Sequence, residues 1–190
     1  MANLIPPVVP AGTMADAQQP TLAVGDALLL RPWVDTDAPA VVRAFANPDI
    51  QRWHFRRFDT EAAAREWIAE CNQAWHAERG AHWAIAPPTG EAIGRVTLYT
   101  ALVDGYGELS YWVMPEARER GVATRAVICA TEWAHDLGLH RIQLQHSTRN
   151  PISGRVARAA GFVSEGIRRE ANLHDDGWHD MHMYAHLPTE

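Results

Sequence analysis

The sequence predicts a single α+β domain: a mixed, mostly antiparallel sheet of about seven strands with helices on both faces. Three observations carry that expectation. Segments that alternate apolar and polar, such as His140-Arg-Ile-Gln-Leu-Gln-His-Ser147, are interleaved with stripes at helical spacing, such as Val122, Ala126, Ala130, Trp133, Ala134 and Leu137. Gly and Pro punctuate the joins at Asn47-Pro48, Pro87-Pro-Thr-Gly90 and Asp175-Asp-Gly177. The length of 190 residues suits one domain, and no repeat divides it.

Residues 1–21 are rich in Pro, Ala and Gln without a period, which predicts a disordered arm ahead of a domain over residues 22–190. Leu28-Leu-Leu-Arg-Pro-Trp33 reads as the first strand, limited by Pro32. Asp35 or Thr36 can cap a helix reaching about Ala46, which Asn47-Pro48 ends. Gln51 to Phe58 has no clean period. Thr60 caps a second helix with Trp67, Ile68, Cys71, Ala74 and Trp75 on one face, stopped by Gly80.

Ala81 to Ala86 and Glu91 to Leu102 form a hairpin about the Pro87–Gly90 turn. Glu108-Leu-Ser-Tyr-Trp-Val-Met114 is the central strand, ended by Pro115, and a helix runs from Val122 to a stop at Gly138. His140 to Ser147 is a strand, Asn150-Pro151 opens a helix through Ala160, and two strands follow, at about 165–171 and 178–186.

Composition narrows the function. The net charge of −6 opposes general binding to nucleic acid or to anionic membranes. No run approaches the ~20 apolar residues of a membrane span, and Met1 to Pro20 lacks the basic start and apolar core of a signal peptide. A cytoplasmic protein is expected, with Cys71 and Cys129 as buried free thiols. No metal site is expected: His182 and His186 sit four apart on a strand, roughly 13 Å, too far to share an ion with ~2 Å bonds.

The most informative junction is Arg118-Glu-Arg-Gly-Val-Ala123, a loop between the central strand and a helix N-terminus. Unpaired N–H groups and the helix dipole favour an anion there. Gly121 permits close approach to the main chain, and Arg118 and Arg120 add cations. The loop reads as a pyrophosphate cradle or as an ordinary β–α turn with two surface arginines. It lacks the Gly-Lys-Ser/Thr of a P-loop and the three spaced glycines of a dinucleotide fingerprint.

Arg118-x-x-Gly121-x-Ala123 after a Tyr-Trp strand resembles the acetyl-CoA loop of the GNAT N-acetyltransferases. Asn150-x-x-Ser153-x-Arg155-Val156, Gly161-Phe162 and Glu165-Gly166 resemble the RimJ/RimL branch of that family, as do Leu30-Arg-Pro-Trp33 and Gly177, Asp180 and Tyr184. The resemblance covers about Leu28 to Leu187. It implies a V-shaped splay between the central strand and the strand after it, with acetyl-CoA as co-substrate lying in the V. Main chain at Val113 and Met114 would pair with its pantetheine and acetyl end. Arg118, Arg120, Gly121, Val122, Ala123 and Thr124 would hold the pyrophosphate, Asn150 would bond the pantetheine arm, and Arg155 would reach the cofactor or brace its helix.

The reaction so implied is direct acetyl transfer to a primary amine, either a protein N-terminus or a small-molecule amine such as an aminoacyl-nucleotide. Ser153 would hydrogen-bond or protonate the departing thiolate, or else cap its helix. Glu108 would act as base through water, or stand as a solvated strand-end carboxylate. The family often has a tyrosine where this chain has Ala157, so a phenolic acid is missing there; Ser110 replaces a common glycine and narrows the groove. Acceptor contacts are expected from Trp53, His54 and Arg56, together with Ser110 and Trp178. The aromatics near residue 53 either stack a planar acceptor or plug the core. The alternative function is a non-catalytic acyl-CoA-binding regulatory module. A homodimer is one admissible assembly.

Overall fold

The computed structural model describes residues 4–188. Eight strands form one sheet, one more than the sequence predicts: β1 (Leu22–Val24), β2 (Leu28–Pro32), β3 (Gly80–Ala86), β4 (Gly94–Ala101), β5 (Tyr106–Val113), β6 (Arg141–Ser147), β7 (Val163–His174) and β8 (Gly177–His186). Their order is β1-β2-β3-β4-β5-β6-β8-β7. Every neighbouring pair is antiparallel except β5 and β6, which the crossover through a helix makes parallel. The additional strand is β1, three residues that are too short to show a period.

The helices are α1 (Ala38–Ala46), α2 (Pro48–Gln51), α3 (Glu61–His76), α4 (Val122–Asp136) and α5 (Pro151–Ala159). Alternation along the strands sends side chains to two cores. Trp83 and Ile85 of β3, Val96 and Leu98 of β4 and Leu109 of β5 join the core under α4. Ala84 and Trp112 join the other, under α1 and α3, with Trp33, Phe45, Phe58 and Trp67. The Arg31 guanidinium clamps the buried Asp37 carboxylate through two bonds of 2.7 and 2.8 Å, tying the β2 end to the entry of α1.

Residues 8–20 lie against the domain, where a disordered arm was expected. Val9 and Met14 are 2% and 0% exposed within the α4-side core. The Glu78 carboxylate, on a residue with φ +54°, accepts N–H bonds from Gly12, Met14 and Ala15 at 3.0, 2.9 and 3.3 Å. The indole N–H groups of Trp75 and Trp83 donate to the Ala17 and Pro20 carbonyls. The segment docks through its main chain and two apolar side chains five positions apart, too few to show a period. Cys71 is buried and Cys129 partly so, both as free thiols.

Candidate active site

The site begins where β5 and β6 part. Their rungs run only from Tyr106–Arg141 to Leu109–Leu144. Beyond that point β5 stays paired with β4 as far as Val113–Gly94, while β6 pairs with β8 as far as Ser147–Met181. Each strand is held by its other neighbour, so the two diverge into a V. Main-chain groups of residues 110–113 that face β6 have no ladder partner there and are free to meet a ligand. Val113 borders the opening, and its carbonyl accepts from Arg118 Nε at 3.2 Å. The Met114 N–H is already spent on the Ile93 carbonyl at 2.8 Å.

The α4 N-terminus opens beside this V. Gly121 has φ +67° and Glu119 φ +61°, left-handed turns that fold the loop back onto the helix start. The Arg125 N–H already bonds the Gly121 carbonyl, whereas those of Val122, Ala123 and Thr124 precede the first full turn and lack intrahelical partners. Arg125 Nη1 also bonds the Arg120 carbonyl at 2.8 Å and steadies the loop. Arg120 is exposed. Arg118 bridges Val113 and the Asp49 carboxylate, the latter at 3.1 Å, and so braces the loop against α2.

From the opposite side α5 supplies Asn150 and Ser153. Asn150 Oδ1 accepts from the Ser153 N–H at 3.2 Å, so Asn150 is the helix cap. Ser153 keeps its hydroxyl, which lies 2.6 Å from the Tyr111 phenol. Burial pushes the Tyr111 hydroxyl up to about 12, with the Ser153 bond opposing, so the phenol stays protonated at neutral pH. A phenol does reach this site, from β5 rather than from position 157, which is a fully buried alanine. Tyr111 was legible only as half of the Tyr-Trp strand. Arg155 is exposed and falls outside the cavity.

The V opens into a cavity of 1220 Å³ that continues under α1, α2 and α3. Trp53, His54 and Arg56 all line it. Trp53 meets His174 edge-on at 5.9 Å, and Phe55, 77% exposed, stacks on the same imidazole. Phe58 instead sits edge-on to Phe45 in the core, so this segment splits between the two expected roles. Arg56 is paired with Glu70 at 2.7 Å, and burial, seconded by Arg95, lowers His54 to about 3 and keeps it neutral. Glu108 accepts amide bonds from Gln143 and Gln145 at 3.2 and 2.9 Å. Ser110 accepts from Arg95 at 2.8 Å. Trp178, 56% exposed at the β7–β8 turn, stands apart from the cavity.

A strand fork beside a helix terminus thus opens on one continuous cavity that reaches under α1 and α3. A model of the acetyltransferase (GNAT) domain family matches residues 27–163. The chain is 27% identical over 165 residues to the uncharacterized N-acetyltransferase YoaA of Bacillus subtilis (strain 168), spanning 84% of this chain and 93% of that one. Among solved structures, RimL, the ribosomal L7/L12 alpha-N-protein acetyltransferase in complex with coenzyme A, superposes with TM-score 0.81 at 18% identity, covering 88% of this chain and 98% of that one. The microcin C7 self-immunity acetyltransferase MccE, in complex with acetyl-CoA and AMP, gives 0.80 at 18% identity, covering 87% and 94%.

The chain belongs to the GNAT acetyltransferase family. It is an acetyl-CoA-dependent acetyltransferase whose fold is that of the RimJ/RimL-like branch, and the fork and the Gly121 terminus fit that co-substrate.

Proposed function

We propose that this protein transfers an acetyl group directly from acetyl-CoA to a small-molecule primary amine entering under α1 and α3. The observation that carries this reading is the cavity itself: it joins the Tyr111–Ser153 pair at the fork to an aromatic-lined chamber in one continuous space. Its lining of Trp53, Phe55 and Trp67 suits a compact ring-bearing molecule. A protein N-terminus, the acceptor named for RimL, is the second reading.

The residues divide the work as follows. Val122, Ala123 and Thr124 offer the helix-terminus N–H groups, with Gly121 leaving room and Arg120 adding charge, to the pyrophosphate. Unpaired β5 main chain within residues 110–113 orients the thioester and polarises its carbonyl, whereas Met114, its N–H bonded to Ile93, takes no part. Asn150 holds the pantetheine arm, and Arg155 braces α5. Glu108, steadied by two glutamines, draws a proton from the incoming ammonium through water. The amine nitrogen then bonds the acetyl carbon and gives its second proton to the same water, the carbon–sulfur bond breaks, and Ser153 gives a proton to the sulfur while Tyr111 re-supplies Ser153 and recovers its own proton from that water. Trp53, His54, Arg56 and Ser110 shape the acceptor chamber, and Trp178 stays outside it.

The test is thiol release and product mass over a panel of ring-bearing amines, polyamines and ribosomal-protein N-terminal peptides. Turnover of a small amine with silent peptides is the expected result. Acetyl-CoA binding with no turnover on any acceptor would replace this reading with a non-catalytic acyl-CoA module.

A further inference from the structure

Arg95 is a charge that its surroundings do not answer. It sits on β4 in register between Ala84 and Trp112, facing the α1/α3 side, and is only 6% exposed. No carboxylate pairs with it among the described residues, although eight other arginines there each pair with one. Its one polar contact is Ser110 Oγ, and its Nε–H is buried without a partner. An unpaired buried cation is strongly unfavourable unless something completes it. Arg95 is among the residues that line the cavity, so the completing group can come from there.

The surroundings favour an oxyanion. Ser110 accepts from Arg95, which leaves its own O–H to donate, so both residues carry a donor beside the same contact. A guanidinium edge carrying a free Nε–H matches carboxylate or phosphate geometry. The groups nearest to Arg95 cannot supply the charge. Cys71 is a neutral acid there, with burial pushing its thiol up to about 12, and Arg56 is itself a cation. Burial holds His54 and His82 neutral, to about 3 and about 4, with Arg95 the next cause for each.

We infer that Arg95 and Ser110 form an oxyanion subsite in the acceptor chamber, and that the amine acceptor carries a carboxylate or phosphate which binds there. This rests on the acetyltransferase reading for the word acceptor, but the subsite is testable without turnover. It also explains the serine at position 110: a glycine would leave the guanidinium with one fewer partner and the anion with one fewer donor.

The experiment has two independent readouts on the full chain. In the first, protein saturated with coenzyme A, so that the α4 terminus is filled, is titrated calorimetrically with inorganic phosphate and with acetate. Saturable binding of at least one anion is expected, weakened at least tenfold in Arg95→Met; the preferred anion separates phosphate from carboxylate. In the second, thiol release is compared for matched pairs, ethanolamine against phosphoethanolamine and an amino acid amide against its free acid. The anionic member of one pair should have a KM at least tenfold lower, an advantage lost in Arg95→Met and partly restored in Arg95→Lys. Arg95→Met should also melt at an equal or higher temperature, because it removes an unpaired buried charge. No anion binding to the wild type, or equal binding to Arg95→Met, would overturn the subsite. Silence across all amines with Arg95-dependent anion binding would retain the subsite and reject the transferase reading instead.

Discussion

Replacing Tyr111 by Phe removes one oxygen from the fork and leaves its ring in place. The lost contact is the 2.6 Å bond to Ser153. As a stability term, one such hydrogen bond is worth about 1 kcal/mol, so the variant should remain folded with a melting temperature a few degrees lower. As a catalytic term the loss is larger. A positioned proton donor contributes roughly 10²–10⁴-fold, so kcat should fall by about 100-fold while the KM for acetyl-CoA stays within twofold. The phenol lies near 12 because of burial, so the wild-type rate should show no limb below pH 9 that vanishes in Tyr111→Phe. Thiol release at saturating substrates, measured from pH 6 to 9 (an assay range of about three decades of proton activity), provides both numbers. Ser153→Ala should lose a similar factor, and the double variant little more, since the pair acts as one unit. A Tyr111→Phe enzyme within twofold of wild type would refute the relay and leave positioning as the source of the rate.

Gly121→Glu should weaken acetyl-CoA binding by more than tenfold in calorimetry. It puts a negative charge at the helix terminus; its Cβ would meet only the movable Arg125 Nη1 at 3.2 Å, and the left-handed φ of +67° adds strain of about 1 kcal/mol, so circular dichroism should report a folded chain of slightly lower stability. Asp37→Ala leaves the Arg31 guanidinium, whose side chain is 19% exposed, without its partner and the Val34 N–H without an acceptor; it should cost about 3–5 kcal/mol in urea unfolding. Stability should fall on acidification because His82 is depressed to about 4, chiefly by burial. The unfolded chain takes up that proton first, so stability is full above about pH 6.5 and is lost toward pH 4 at the order of 1 kcal/mol per pH unit. His82→Gln should lessen that slope in denaturant midpoints taken across the window, leaving the share of His54, which burial lowers to about 3.

The fold was legible wherever side chains carry a period. The β5–loop–α4 junction announces itself through Pro115 and Gly121, and Asn150-Pro151 opens α5 where its cap is found. What escaped sequence reading is what depends on a partner distant in the chain. Arg95 looks like an outward strand residue until α3 covers that face. Trp178 looks like a groove residue because the turn it follows lies near the rim, yet the indole stands outside. Arg118 reads as a phosphate ligand on spacing alone, whereas Asp49, 69 positions earlier, and the Val113 carbonyl engage it. Phe55 and Phe58 show the limit most plainly: they are three residues apart and of one type, with one stacked at the rim and the other in the core.

The docked segment before β1 also has a consequence for the order of events during synthesis. Its anchors Trp75, Glu78 and Trp83 lie 58 to 66 positions downstream in the chain. At about 5–20 residues per second, a ribosome needs roughly 3–13 s to make them after the segment itself. Throughout that interval Val9 and Met14 have no core to enter, and β3 must be built before they find one. This segment, made before its anchors, is therefore among the last parts of the domain to settle.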